Sequence, residues 1–414
     1  MIGANRMFRK QLARELFCLL VGLALGGPVG AAQMDKTVRI GSLGDQSSIA
    51  SDVSGVGGVI AAKMAVEDSG LLQEGWKIDI LAADHQSKAD LAANITRQWV
   101  DVDKVDAFVD LGNSAIALAA ATVARERNVV NLVSGAATSE LTGSQCSLNN
   151  VHWVYNTYLL ANSTAKTLVR AGGNTWFFLT ADYAFGNQLQ SEASKVVNEN
   201  GGKVLGGVKH PFNNADFASY LLQAQASGAK VIALANTAND TVTAVKQAAE
   251  FDIGRRDQTL VALLLYLTDV HSLGLDFAQG LYLTETFYWD MNDDTREFTK
   301  RFNERYKKSP PTMVMAGIYS STLHYLKALR ALGGNPHDGA KVVAKMKELP
   351  TDDPLFGKGR IRADGQKIHP AYLFKVKAPS ESKYPWDYYK LVATVPAEEA
   401  FVPLEKSTCP LVKN

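Results

Sequence analysis

From Thr37 onward, short apolar runs alternate with longer segments whose apolar positions recur at helical spacing. Residues 37–43, 76–81, 106–111 and 129–133 read as strands, with helices over 59–68 and 91–100 between them. Runs without polar alternation predict strands buried on both faces, as in a parallel sheet. A second series follows residues 151–155, with strands at 175–179, 204–208, 230–235 and 259–265. Its helix over 240–251 places Val242, Val245, Ala248 and Ala249 on one face, with Asp240 as the expected cap. Regular alternation of strand and helix predicts α/β architecture, with parallel sheets covered on both sides. Two such series predict two similar lobes. After 281–288 the pattern turns helical. Phe298, Phe302 and Tyr306 form one stripe, Pro310-Pro311 breaks the chain, and helices are expected over 313–332 and 339–349. Strands return at 359–362, 371–376 and 388–395, with a tight turn at Asp364-Gly365.

The run 129–133 ends abruptly in Ser134-Gly135-Ala136-Ala137-Thr138. These residues are small, so main chain can approach a ligand closely. Ser139-Glu140-Leu141-Thr142 then reads as the start of a helical turn. Unpaired N–H groups at such a junction favour a carboxylate. An ordinary strand-to-helix turn has the same spacing.

Composition narrows the function. The chain has 414 residues, 46% hydrophobic and 21% charged, a globular balance. A net charge of +1 gives no electrostatic case for nucleic acid. Residues 1–32 differ from the rest: Arg6, Arg9, Lys10 and Arg14 precede a short apolar core at 16–25 and the small residues Gly30-Ala31-Ala32. That is the pattern of a secretory signal peptide, too short to span a bilayer comfortably. Its removal leaves Cys146 and Cys409. Export to an oxidising compartment favours a disulfide between them over two free thiols.

The chain from Gly41 to Gly365 resembles the branched-chain amino acid-binding family of periplasmic solute-binding proteins, the extracytoplasmic receptors of ABC importers. The resemblance rests on Gly41–Gly58, Asp110–Ala115, Ser134–Thr142, Asp182-Tyr183-Ala184-Phe185-Gly186, Asp216-Phe217 and Asp364-Gly365. It implies a type I periplasmic-binding-protein fold, two doubly wound parallel-sheet lobes joined by a three-crossing hinge. One lobe would take residues 36–156 and 287–357, the other 157–286 and 358–405, leaving a tail at 406–414. It also implies a periplasmic monomer without cofactor, partnered by a small-molecule ligand and membrane permease subunits. Ligands of open α/β sheets sit beyond the carboxyl ends of strands. Ser47, Asn113, Ser114, Ala115, Ser134, Ala136 and Thr138 are therefore expected to line the cleft from the first lobe. By resemblance, the N–H near Ala115, the main chain of Ala136, and the hydroxyl and N–H of Thr138 would hold a polar head. Tyr183, Phe185, Asn236, Thr237 and Tyr266 face them from the second lobe.

One departure bears on the ligand. Amino-acid binders of this family place an acidic side chain on the second lobe to meet the ammonium. Here that region reads Leu263-Leu264-Leu265-Tyr266-Leu267-Thr268-Asp269. A buried ammonium without a carboxylate is costly, which favours a carboxylate, aromatic acid or amide. Glu285 is the candidate replacement. Readings of another class have less support. No Gly-x-Ser-x-Gly elbow surrounds Ser134, and the seven histidines lack zinc-ligand spacing. Asp45 and Asp84 could form a catalytic pair, but strand-end aspartates commonly hold turns. A secreted hydrolase and a sensory receptor that signals through a partner are the alternatives.

Overall fold

The computed structural model describes residues 35–254 and 257–412. The signal-peptide expectation lies outside them. Five strands build the first sheet: β1 (Thr37–Gly44), β2 (Lys77–Asp84), β3 (Ala107–Asp110), β4 (Val130–Val133) and β5 (Asn150–His152). They are ordered β2-β1-β3-β4-β5, and every pairing is parallel. The second sheet contains β6 (Thr175–Ala181), β7 (Lys203–His210), β8 (Val231–Ala235), β9 (Thr259–Ala262), β10 (Tyr282–Glu285), β13 (Ala371–Val376) and β14 (Tyr389–Val395). Its order is β14-β13-β10-β9-β8-β6-β7, with only β13 pairing antiparallel to its neighbours. Two short strands, β11 (Arg360–Ile361) and β12 (Lys367–Ile368), form a hairpin whose turn places Gly365 at φ +87°. Both main sheets are doubly wound, as the alternating pattern predicts.

Burial follows position in the sheet. The central β3, β4 and β8 are buried at every residue, whereas the edge strands β2 and β7 alternate. This is how a parallel sheet covered on both faces separates centre from edge. The helical stripe is also as read: Phe298 and Phe302 are buried with Tyr306 packed after them. Helix Met313–Leu332 packs on helix Gly55–Asp68, and Asp68 accepts from Arg301 and from the Tyr319 hydroxyl at 2.7 Å.

Three sequence expectations change. The first helix begins at Gly55, not Val59, so the glycines at 55–58 are helical. A Cβ on Gly57 would stand 2.6 Å from Met315 Cε, and one on Gly58 2.8 Å from Ile318 Cδ1. These glycines serve close helix packing. β9 ends at Ala262, because Leu263–Leu265 turn toward the next helix. Asp240 does not cap its own helix; its carboxylate accepts from the N–H groups of Asn213 and Asn214. Ala238 holds the cap position instead, at φ +52°.

The chain passes between the sheets three times: after β5, after β10, and ahead of β13. The first and third passages are tied together. Gln366 accepts from Asn156 Nδ2 at 2.9 Å and donates to the His152 carbonyl at 3.1 Å. His369 Nε2 meets the Trp153 carbonyl at 3.1 Å. The Lys367 ammonium lies over the rings of Phe356 and Trp153, 4.3 and 5.1 Å from their centres. Cys146 and Cys409 form a disulfide, closing the chain end onto the loop after β4.

Candidate functional site

The first sheet presents two strand-end segments to one another. After β3, Asp110 and Leu111 take φ of +80° and +62°, a conformation that costs non-glycine residues energy. The Asp110 carbonyl accepts from both Ser134 and Gly135 N–H, so this bend holds the start of the 134–138 turn. Asn113 then caps helix Ser114–Arg127. Ser114 Oγ accepts from the Thr138 N–H at 3.3 Å. Thr138 caps the short helical turn Ser139–Thr142, its hydroxyl accepting from Glu140 N–H at 3.4 Å. Both bonds are long for their type. Ser114, Ala136 and Thr138 are all buried.

Not every expected donor is available. The Ala115 N–H donates to Asn113 Oδ1 at 2.9 Å, because asparagine caps its own helix. The Ala136 carbonyl takes His152 Nε2 at 2.8 Å, while its N–H donates to none of the described residues. Ser134 is buried under helix Met313–Leu332, where a Cβ on Gly317 would come within 3.4 Å of its hydroxyl. Ser47 is exposed and donates to Asp84, which also accepts from Gln46 and Gln86 N–H. Asp45 accepts from Ser48 N–H at 2.8 Å and from the Ser87 hydroxyl at 3.0 Å. These contacts give Asp45 and Asp84 turn-holding roles.

From the second sheet, Tyr183 precedes helix Ala184–Glu199 and packs on Phe185 and, edge-on, on Phe212. Phe185 is buried. Asn236 is committed within its own sheet, accepting from the Thr241 hydroxyl at 2.8 Å and meeting His210 Nε2 at 3.2 Å. Thr237 Oγ1 has no partner among the described residues. Tyr266 begins the helix after β9, with its N–H on Asp269 Oδ2 at 3.0 Å. Glu285, at the end of β10, accepts only a long 3.5 Å bond from Tyr389, and its Oε2 has no partner among the described residues.

The two sheets meet at a pair of phenols. Tyr155 lies on the first passage between sheets. It donates to the Gly135 carbonyl at 2.6 Å and shares a 2.6 Å hydrogen bond with the Tyr266 hydroxyl. Burial raises the Asp269 carboxyl to about 7. Burial, then the neighbouring Asp269, raises Glu285 well above the carboxylate range. Tyr155, His152 and Asp269 were not among the sequence candidates. Tyr155 carried one signal, its place at the end of the apolar segment between the two β–α series.

Among the described residues, no group of three or more His, Cys, Asp or Glu could hold a metal, and no helix is long and apolar enough to cross a membrane. The family model for a periplasmic binding protein matches residues 37–383. The chain belongs to the periplasmic binding protein family. A periplasmic binding protein from Burkholderia mallei is 46% identical to it, covering 91% of this chain and 100% of its own at a TM-score of 0.87. A branched-chain amino acid ABC transporter periplasmic ligand-binding protein from Burkholderia xenovorans is 36% identical, over 91% and 100% of the two chains, at 0.82. A Rhodopseudomonas palustris solute-binding protein solved with benzoate shares the fold at 19% identity, over 90% and 99%, at 0.79. No curated protein matches. For this periplasmic binding protein, the match fixes the fold and the class of molecule, and the site geometry must supply the rest.

Proposed function

We propose that this protein is the solute receptor of an ABC importer, that it takes a small carboxylate between its two sheets, and that it hands it to permease subunits in the membrane. The observation that carries the reading is the junction of Ser114 with Thr138. There a helix N-terminus and a short helical turn converge beside the unengaged Ala136 N–H. The long bonds at 3.3 and 3.4 Å are ones that a carboxylate would replace with shorter, charge-assisted ones. Tyr183 and Phe185 supply apolar cover for the rest of the solute. The lobes would close on the ligand by a hinge at the three passages.

An α-amino acid is the second reading. It has one observation in its favour, a Glu285 Oε2 without a partner among the described residues, and the Burkholderia xenovorans relative, a branched-chain amino acid ABC transporter ligand-binding protein, agrees with it. Against it, the stretch where amino-acid binders of the family are expected to place an acid reads Leu263 to Tyr266 here, with Asp269 a few residues late, and Glu285 is held toward its neutral form by burial. The test is thermal shift against benzoate, phenylacetate, 4-methylpentanoate and leucine, each beside its amide. A ligand at about a hundred times its dissociation constant stabilises the fold by about 2.7 kcal/mol. Carboxylates are expected to raise the melting temperature and their amides not. Equal response to acid and amide would refute the carboxylate anchor.

A further inference from the structure

We propose that Tyr266 determines solute specificity as a one-way hydrogen-bond acceptor, selecting a 2-hydroxy acid over the same acid without the hydroxyl. The inference rests on the carboxylate reading above and goes further into the same site. Its basis is proton arithmetic along one chain of contacts. A backbone carbonyl has no proton to give, so the 2.6 Å bond between Tyr155 and the Gly135 carbonyl uses the single Tyr155 proton. In the 2.6 Å contact between the phenols, Tyr155 can then only accept, and Tyr266 must donate. What Tyr266 has left for a solute is an oxygen lone pair. The chain therefore runs in one direction, Tyr266 to Tyr155 to Gly135.

The position of the donor on the solute follows from the same contacts. Gly135 belongs to the turn that ends in Thr138, and Tyr266 is two short hydrogen bonds from its carbonyl. A donor that reaches Tyr266 from a carboxylate held at this turn therefore lies close to that carboxylate, and a hydroxyl on the adjacent carbon is the simplest such donor. The acceptor is an uncharged phenol, and the Gly135 and Ala136 carbonyls of the turn each already accept one hydrogen bond, from Tyr155 and from His152. An ammonium carries more protons than one neutral acceptor can satisfy, and a buried charge without a carboxylate is expensive. A hydroxyl matches one lone pair. Discrimination by a committed hydrogen-bonding group is sharp, because the solute that lacks the partner leaves it unpaired in a dry site.

The experiment is calorimetry on wild type, Tyr155→Phe and Tyr266→Phe. The probes are two matched pairs, mandelate with phenylacetate and 2-hydroxy-4-methylpentanoate with 4-methylpentanoate, plus leucine. In wild type the hydroxy acid of whichever pair fits is expected to bind at least tenfold more tightly than its partner, and leucine more weakly than its hydroxy counterpart. Tyr155→Phe frees the Tyr266 proton and leaves its lone pairs, and a solute hydroxyl accepts as well as donates, so the preference should persist or widen. Tyr266→Phe should abolish it. A wild-type ratio within threefold, or a ratio unchanged by Tyr266→Phe, overturns the inference while leaving the carboxylate reading intact. Tighter binding of leucine overturns the neutral-donor argument. Silence from all five acids refutes the carboxylate reading, and this inference falls with it.

Discussion

Replacing Asp269 by asparagine should stabilise this protein, and increasingly so as pH rises. Asp269 is buried, and its carboxyl accepts the Tyr266 N–H at 3.0 Å. Burial, opposed by that bond, lifts its pKa from the usual 3.8 to about 7. A folded-state pKa above the unfolded value means that the unfolded chain releases its proton first. The contribution to stability is therefore fully present below about pH 4 and is lost as pH rises to about 7. The displacement of about 3 units corresponds to about 4 kcal/mol at about pH 8 and under 2 kcal/mol at about pH 5. The asparagine side chain keeps an oxygen for the Tyr266 N–H and never ionises. Buried acids away from Asp269, such as Asp110 at about 8, titrate in both proteins and largely cancel, while Glu285 is relieved of its acidic neighbour in the variant, which acts in the same direction. Urea unfolding of wild type and Asp269→Asn at both pH values reads the effect directly. The stability difference should move in favour of the variant by about 2–3 kcal/mol between about pH 5 and about pH 8. A difference that stays constant, or moves the other way, would show that Asp269 is not a desolvated carboxyl.

Three further outcomes are expected. Thr138→Val keeps shape and removes the hydroxyl, so calorimetry with a confirmed carboxylate should show about ten- to a hundredfold weaker binding; native-like affinity would move the polar head elsewhere. Burial depresses His152 to about 4 and His369 to about 3, so their contribution is full above about pH 6.5 and is lost as pH falls toward those values. His369→Asn should accordingly flatten the acid limb of a stability profile, and an unchanged limb would contradict the burial argument. The disulfide spans a sequence separation of 263 residues, for which chain entropy gives about 5 kcal/mol. Cys146→Ser with Cys409→Ser should lower the urea midpoint and raise the slope, since the unlinked chain unfolds to a more expanded state, and an unmoved midpoint would assign the bond to the tail alone.

The fold was legible because its signals are long and repeated. Apolar runs buried on both faces marked β3, β4 and β8, and the break at Pro310-Pro311 marked the start of helix Met313–Leu332. Boundaries failed where one residue type serves two purposes. Gly55, Gly57 and Gly58 read as loop ahead of a helix starting at Val59, yet they are helical, and two of them let Met315 and Ile318 close on the helix. Asp240 read as a cap, yet the loop at Asn213 and Asn214 needed its carboxylate more. Periodicity has no term for a partner that arrives from a distant part of the chain.

The site was legible at strand ends and illegible at the level of single donors. Sequence spacing places Ala115, Asn236 and Thr138 equally well beside a ligand. It does not say that Asn113 takes the Ala115 N–H, or that Thr241 and His210 take the Asn236 amide. Recognition depends on what remains after such internal bonds are made. The Gly135 carbonyl shows how far this reaches. By fixing the Tyr155 proton it fixes the Tyr266 proton, and so sets the polarity of a wall on the opposite sheet. A phenylalanine at position 155 would leave the Tyr266 ring in place and let its hydroxyl donate to a solute as well as accept. Two binding proteins of this family could therefore carry the same tyrosine at the cleft and differ in whether they hold a solute that offers only an acceptor there, with the difference residing in a residue on the passage between the sheets.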